Sequence, residues 1–119
     1  MTGEDWVDAD VIDKLEQMVG TDVVLEIIDL FLEHAPRRLA IALEAGTTGD
    51  MDTVAGELHS LKSSAGSIGA FSLQQLAEET EKLAVDGRKK PVCERLGELS
   101  AMLDSVSKRL VEVRTGRTK

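Results

Sequence analysis

The chain is poor in the residues on which several protein classes depend. Aromatic residues make up 3% of its 119 residues and tyrosine is absent, which disfavours a β-sandwich or barrel because those folds rely on aromatic and β-branched side chains. With a single cysteine, Cys93, the chain can form no internal disulfide and no cysteine-based zinc site. Its longest apolar run is the five residues 39–43, far short of the roughly 20 that a membrane-spanning helix needs. The opening segment is acidic, unlike a secretory signal. We therefore expect a reduced, cytoplasmic protein with no membrane partner.

Acidic residues outnumber basic ones, and the two are unevenly distributed. The formal net charge of −8 argues against nucleic acid as a partner, because binding there depends on neutralising phosphates. Residues 1–59 carry 14 acidic and 3 basic side chains, whereas residues 60–119 carry 8 acidic and 11 basic ones. The difference indicates attraction within the domain or a polarised docking surface. Ordinary solvated helix faces are the alternative.

Apolar residues recur at helical spacing along the whole chain, which holds only two prolines. The predicted stripes are Val11, Leu15 and Met18 in a short first helix; Val24, Ile28, Phe31, Ala35, Leu39 and Ala42 in a second; Val54, Leu58, Leu61 and Ala65 in a third; Leu73, Leu76, Thr80 and Leu83 in a fourth; and Leu96, Leu99, Leu103, Val106, Leu110 and Val113 in a fifth. Such stripes joined by short turns predict one all-α domain over residues 1–119, built as an antiparallel helix bundle.

Capping residues and glycines set the expected helix boundaries. The expected N-caps are Asp8 or Asp10, Thr21 or Asp22, Asp50, and Ser72 in a capping box with Gln75. The expected stops are Gly20, the turn 46–49, Gly66 with Gly69, and Gly87. Pro36 should kink or interrupt the second helix. A basic turn, 88–91, leads into the fifth helix, and residues 114–119 are expected to form a polar tail.

One histidine on the third helix, about residues 50–66, stands out. At about 100° per residue, Leu58 and Leu61 point to the core and His59 lies on the outward face. The neighbours of His59 on that face are mostly small: Asp52, Ala55, Gly56, Lys62, Ser63 and Gly66. Another protein could therefore approach the imidazole closely. Gly56 reduces helix stability by roughly 1 kcal/mol relative to alanine, which makes its position one turn before the histidine more informative.

Three kinds of group converge on this face. An exposed imidazole is largely neutral at physiological pH and so can act as a nucleophile. Lys62 places an ammonium beside the ring, which suits an anion attached to the imidazole better than a protonated imidazole. Ser63 and Ser64 add hydroxyl donors. Together these groups indicate a place to carry a phosphoryl group, and a solvated surface pair is the plainer alternative.

The segment 58–70 resembles the signature of histidine phosphotransfer (Hpt) domains, a His-x-x-Lys-[Gly/Ser]-[Ser/Ala] run on a helix followed by a Gly-Ala turn. The matching residues are His59, Lys62, Ser63, Ser64, Gly69, Ala70, Leu73 and Leu76, with flanking matches at Phe31-Leu32-Glu33, Pro36, Gly49-Asp50 and Glu81. The resemblance covers roughly residues 8–87 and implies a monomeric four-helix bundle with an additional short N-terminal helix. The sequence departs from the family where Leu58 replaces a frequent Ala, Ser63 the commonest Gly, and Thr80 a usual Leu. None of these removes a group that the chemistry needs.

The resemblance implies a phosphocarrier without kinase or ATPase activity of its own. His59 would accept a phosphoryl group, usually on Nε2, from a receiver-domain aspartyl phosphate and relay it reversibly to another receiver. Lys62 would offset the phosphoryl charge, and Ser64 would hydrogen-bond to the phosphoryl group or the loop. The residues implied for partner docking are Gly56, Ser63, Gly66 and Gly69. The partners would be receiver domains of response regulators and of a hybrid sensor histidine kinase.

No cofactor or metal is expected on this chain, and the Mg²⁺ needed for transfer would belong to the receiver. Residues 66–69 lack the Walker spacing of a nucleotide-binding loop. His34 is expected to be partly buried near the helix kink, and the two histidines have no third ligand at a recognisable metal spacing. The alternative function is a helical adaptor that binds receiver or kinase domains without carrying phosphate.

Overall fold

Five helices make up almost all of residues 6–118, the part of the chain that the computed structural model describes. They are α1 (Ala9–Val19), α2 (Thr21–Thr48), α3 (Met51–Ser67), α4 (Phe71–Val85) and α5 (Lys89–Arg117), and residues 6–118 contain no strand. Helices α2 to α5 form an antiparallel bundle in which α2 packs on α3 and α5, and α4 packs on α3 and α5, while α1 packs on α2. The predicted all-α four-helix bundle with a short additional N-terminal helix is confirmed. Within residues 6–118, no helix is both long and apolar enough to cross a membrane.

The core is built from one apolar stripe on each bundle helix. On α3, Val54, Leu58, Leu61 and Ala65 are all fully buried, as the periodicity predicts. On α1, Ile12 is the buried residue and Met18 is 78% exposed, so the prediction that Met18 faces inward is wrong. Thr80 is fully buried, and its hydroxyl donates to the Leu76 carbonyl 2.7 Å away. That bond satisfies the one polar side chain found in the core of residues 6–118.

Two predicted caps form and two do not. Asp8 accepts a hydrogen bond from the Asp10 amide at 2.9 Å, and Asp50 accepts one from the Thr53 amide at 3.1 Å. Thr21 instead lies inside α2, whose N-cap is Gly20, with φ of 89°. Helix α4 begins at Phe71 after an Ala70 N-cap without a side-chain hydrogen bond, so the Ser72–Gln75 capping box is absent.

Helix α2 continues through Pro36, where the sequence predicts a kink or an interruption, and it extends into the predicted turn 46–49. It passes through Pro36 without interruption and extends to Thr48, because Ala35 and Leu39 are buried on either side of the proline and hold both segments against the core. Gly46 belongs to the helix rather than to a turn. It is buried against α5, and a Cβ there would lie 2.9 Å from Cδ1 of Leu96. The connection to α3 is made by Gly49, with φ of 80°.

Helix α5 is longer at both ends than the sequence predicts. It starts at Lys89, so Pro91 sits in its first turn, where the missing amide hydrogen breaks no helical bond. At the other end it runs to Arg117, which corrects the predicted polar tail. Arg114 binds the Asp29 carboxylate through two hydrogen bonds of 2.6 and 3.1 Å, and Arg117 contacts Asp13 at 2.8 Å. These interhelical pairs keep the polar end of α5 against α1 and α2.

Candidate functional site

Helix α3 presents His59 to solvent. Its N-terminus is fixed by the Asp50 cap, and its buried stripe, which includes Leu58 and Leu61, faces the core. Because the helical period turns position 59 away from that stripe, the His59 side chain is 65% exposed. The prediction that His59 lies on the outward face of α3 is therefore confirmed.

A single carboxylate from α4 joins His59 and Lys62. The Nδ1 of His59 lies 2.9 Å from Oε2 of Glu81, and the Nζ of Lys62 donates to Oε1 of the same group at 2.8 Å. The side chains of Glu81 and Lys62 are only 17% and 23% exposed. The ammonium of Lys62 lies beside the site, as predicted, but it is bound to Glu81 rather than free on the surface.

In the triad formed by His59, Lys62 and Glu81, hydrogen bonds determine the charges of Lys62 and Glu81. Burial on its own would raise the pKa of Glu81, but hydrogen bonds from Lys62 and His59 outweigh burial and lower the pKa below its usual range. The hydrogen bond to Glu81 raises the pKa of Lys62. Glu81 is therefore an ionised carboxylate at neutral pH, and Lys62 is an ammonium ion.

The triad also determines which ring nitrogen of His59 can react. An ionised carboxylate only accepts hydrogen bonds, so the proton of the neutral imidazole is assigned to Nδ1, which faces Glu81. The lone pair is then on Nε2. The site is an exposed nitrogen nucleophile whose opposite ring nitrogen is held by a carboxylate.

Comparison with known proteins identifies the family of the chain. The family model described as "Hpt domain" matches residues 26–109. The chain belongs to the Hpt domain family. The family consists of histidine phosphotransfer proteins of phosphorelays, which carry phosphoryl groups and are not kinases or ATPases. The resemblance seen in residues 58–70 is thus confirmed.

A solved structure has the same fold as this Hpt domain. It is the crystal structure of histidine-containing phosphotransfer protein B (HptB) from Pseudomonas aeruginosa PAO1, with a TM-score of 0.88 and 21% sequence identity, covering 92% of this chain and 95% of that chain. At this identity the likeness concerns the fold. No curated protein matches the chain in sequence.

The four residues assigned to docking fall into two groups. Gly56 and Ser63 are exposed on the same face of the Hpt domain as His59, and a Cβ at Gly56 would meet nothing within 4 Å. Gly66 is half-buried, and a Cβ there would collide with Nε2 of Gln74. Gly69 is buried with φ of 82°, against Val11 and the carbonyl of residue 8. Internal packing therefore accounts for Gly66 and Gly69, and their assignment to the docking face stays a prediction.

Ser64 lies on the side of α3 that faces α2, and His34 lies on α2. They border a groove of about 270 Å³ between the two helices, which is also lined by Leu30, Phe31, Arg38 and Ile68. His34 is exposed rather than partly buried, and its side chain borders the groove. Ser63, one turn after His59, donates its hydroxyl to the His59 backbone carbonyl at 3.3 Å.

Glu81 is the site residue that sequence reasoning assigned no role. In the sequence it is only a flanking match to the family signature, yet the α3–α4 hairpin brings its carboxylate to His59. Residues about equally far from the Gly69 turn face one another across such a hairpin, and Gly66 opposite Gln74 shows the same register. The distance of a residue from the Gly69 turn is therefore a sequence signal for which α4 positions lie level with His59, whereas which of them faces His59 depends on the rotation of the two helices. Within residues 6–118, no group of three or more His, Cys, Asp and Glu side chains could hold a metal ion.

Proposed function

We propose that this Hpt domain accepts a phosphoryl group on Nε2 of His59 from a receiver-domain aspartyl phosphate and passes it reversibly to the aspartate of a second receiver. The observation that carries the proposal is the contact between His59 Nδ1 and Glu81. This contact leaves Nε2 as the nucleophilic nitrogen of an imidazole that is 65% exposed. The site therefore favours attack on a group presented by another protein.

The transfer needs no proton to move on this chain. The Nε2 lone pair forms a bond to phosphorus while the bond between phosphorus and the aspartyl oxygen breaks, and the carboxylate leaves with the electron pair. The ring, which keeps its Nδ1 proton, becomes an N-phosphorylated imidazolium. Glu81 accepts a hydrogen bond from that proton and stabilises the growing positive charge of the ring. Attack by a second receiver aspartate on the phosphorus reverses the step.

The other predicted residues support this step less directly. Lys62 is bound to Glu81, so its first effect is on that carboxylate, and its ammonium offsets the charge of the phosphoryl group from beside the ring. The position of Ser64 toward the α2–α3 groove favours contact with the loop or with the partner. Exposed Gly56 and Ser63 allow a receiver to approach His59 closely. The receiver supplies the Mg²⁺, and this chain binds no cofactor.

Phosphate transfer in vitro tests the proposal. Incubation of the wild-type chain with a phosphorylated receiver and Mg²⁺ should move acid-labile label onto the chain, and His59→Gln should take up none. His34→Gln is the matched control, because it removes the other histidine, which is exposed as well, and it should accept label at the wild-type rate. Equal labelling of wild type and His59→Gln would exclude His59 as the acceptor. If the wild-type chain binds the receiver and accepts no label, the chain is an adaptor.

A further inference from the structure

Helix α1 is attached to the bundle by few contacts. It has 11 residues, which is too short for an isolated helix to be stable in water, so its order depends on what it touches. Its buried apolar anchors are Ile12 and the preceding Val7, and the partly buried Leu15 also packs against the core. At its N-terminal end, the amide of Asp8 donates to the carbonyl of Gly69 in the α3–α4 turn at 3.0 Å. The C-terminal half of α1 has Leu15 and the hydrogen bond from the Thr21 hydroxyl to Glu16 at 3.0 Å, and it has one further attachment to a remote part of the chain.

That attachment is Arg117, in the last turn of α5. Its Nη2 lies 2.8 Å from Oδ1 of Asp13, and its Nε lies 3.4 Å from Oε2 of Glu16, within ion-pair range but not aligned as a hydrogen bond. The Arg117 side chain is only 20% exposed. One guanidinium thus binds carboxylates from two successive turns of α1, across 104 residues of chain.

The last turn of α5 depends on the same contacts. The last buried residue of α5 is Leu110, and Val113 is half-buried. Beyond Val113 the interhelical contacts are ionic, from Arg114 to Asp29 on α2 and from Arg117 to α1. Neither terminal helix end is fixed by a large apolar contact, and each is fixed partly by the other.

We propose that α1 can detach from the four-helix bundle while the bundle stays folded, and that the ion pairs of Arg117 hold α1 in place. In this sense α1 is a latch and Arg117 is its lock. Segments with few apolar contacts open locally at a lower free energy than the core. Opening would remove α1 from the α3–α4 turn, directly after Ile68, and Ile68 lines the α2–α3 groove. The lock is ionic, so ionic strength controls the latch. This inference does not depend on the proposed function.

Hydrogen–deuterium exchange of the amides of residues 13–19 tests the latch. In Arg117→Gln these amides should exchange about fivefold faster than in the wild type, as expected when ion pairs of this kind are lost, while α3 and α4 keep their rates. Lys108→Gln is the matched control, because it removes the same charge from an exposed position of α5. It should leave α1 unchanged. Unchanged α1 exchange in Arg117→Gln, or equal acceleration in all helices, would overturn the latch.

A second variant tests the pairing itself. Asp13→Asn removes the hydrogen-bonded partner of Arg117 and leaves the Thr21–Glu16 hydrogen bond in place. It should accelerate α1 exchange, and adding it to Arg117→Gln should produce no further increase. Raising the salt concentration to about 1 M, where screening acts over a few ångströms, should accelerate α1 exchange in the wild type and not in Arg117→Gln. Additive effects of the substitutions, or equal salt sensitivity of both proteins, would contradict the proposal.

Discussion

Nδ1 of His59 and Oε2 of Glu81 lie 2.9 Å apart although 22 residues separate them in the chain. The contact joins an exposed imidazole on α3 to a largely buried carboxylate on α4. The same carboxylate holds Lys62 through its other oxygen. Orientation, tautomer and charge at the proposed acceptor therefore depend on one side chain of the neighbouring helix.

Substitution of Glu81 by Gln should change the tautomer of His59. A neutral amide can accept from or donate to Nδ1, so it no longer selects the Nδ1–H form. The neutral imidazole should shift toward Nε2–H, which removes the lone pair from the proposed nucleophile. We expect phosphoryl acceptance to slow by about tenfold, the scale typical of losing a residue that orients a reactive histidine. Ring ¹⁵N chemical shifts report the tautomer, and single-turnover transfer reports the rate.

Glu79→Gln is the control for that substitution. Glu79 also lies on α4, and its carboxylate pairs with Arg95 at 3.5 Å instead of with the site. The variant should keep both the wild-type tautomer and the wild-type rate. An unshifted tautomer in Glu81→Gln would show that Glu81 does not select the tautomer, and a shifted tautomer with unchanged transfer would show that the tautomer does not limit transfer.

The stability of the triad should depend on pH on the acid side. Burial opposes ionisation of Glu81, but the hydrogen bonds from Lys62 and His59 place its pKa below the ordinary value of 4.5. A lowered pKa means that the stabilisation is complete above the ordinary value and is lost as the pH falls through the lowered one. The free-energy difference between wild type and Glu81→Gln should therefore shrink on acidification. Urea denaturation at about pH 7 and about pH 3 measures it.

Asp104→Asn separates this effect from general acid destabilisation. Asp104 is exposed on α5, and its replacement should shift stability little at either pH. If Glu81→Gln differs from the wild type equally at both pH values, the carboxylate charge does not stabilise the triad.

The helical faces could be predicted from the sequence because burial follows the local period. Every predicted inward position of α3 is buried, and His59 is exposed as a direct consequence. The role of Glu81 was not predicted, since it depends on how α3 and α4 are rotated against each other. That rotation is set by long-range packing such as Gly66 against Gln74, which no local pattern encodes.

The predicted helix boundaries were wrong where tertiary contacts outweighed the local helix propensity of the sequence. Pro36 lacks an amide hydrogen, yet the packing of Ala35 and Leu39 keeps α2 continuous. The polar residues Arg114 and Arg117 looked like a tail because their acidic partners, Asp29 and Asp13, lie far away in the sequence. In both cases the deciding contacts join residues that are remote along the chain.

Gly46→Ala should destabilise the bundle. A Cβ at this buried position would lie 2.9 Å from Cδ1 of Leu96, which is itself only 2% exposed and has little room to move. We expect a loss of about 1–2 kcal/mol in the free energy of unfolding, the usual effect of overpacking. Gly97→Ala on α5, where a Cβ meets nothing within 4 Å, should instead stabilise by about 0.5–1 kcal/mol. Urea denaturation of both variants measures the contrast, and a Gly46→Ala protein as stable as Gly97→Ala would refute the close approach.

Bulk at Gly56 should impair transfer without harming the fold. Gly56 is exposed one turn before His59, and a Cβ there would meet nothing within 4 Å, so no contact within the chain requires a glycine. Gly56→Leu should therefore be at least as stable as the wild type. If a receiver must approach this face closely, the added side chain should slow transfer from the phosphorylated receiver by about tenfold, or ~1.4 kcal/mol. Gly97→Leu adds the same side chain to an open position on α5 and should transfer at the wild-type rate. Equal rates for the two leucine variants would place receiver docking away from Gly56.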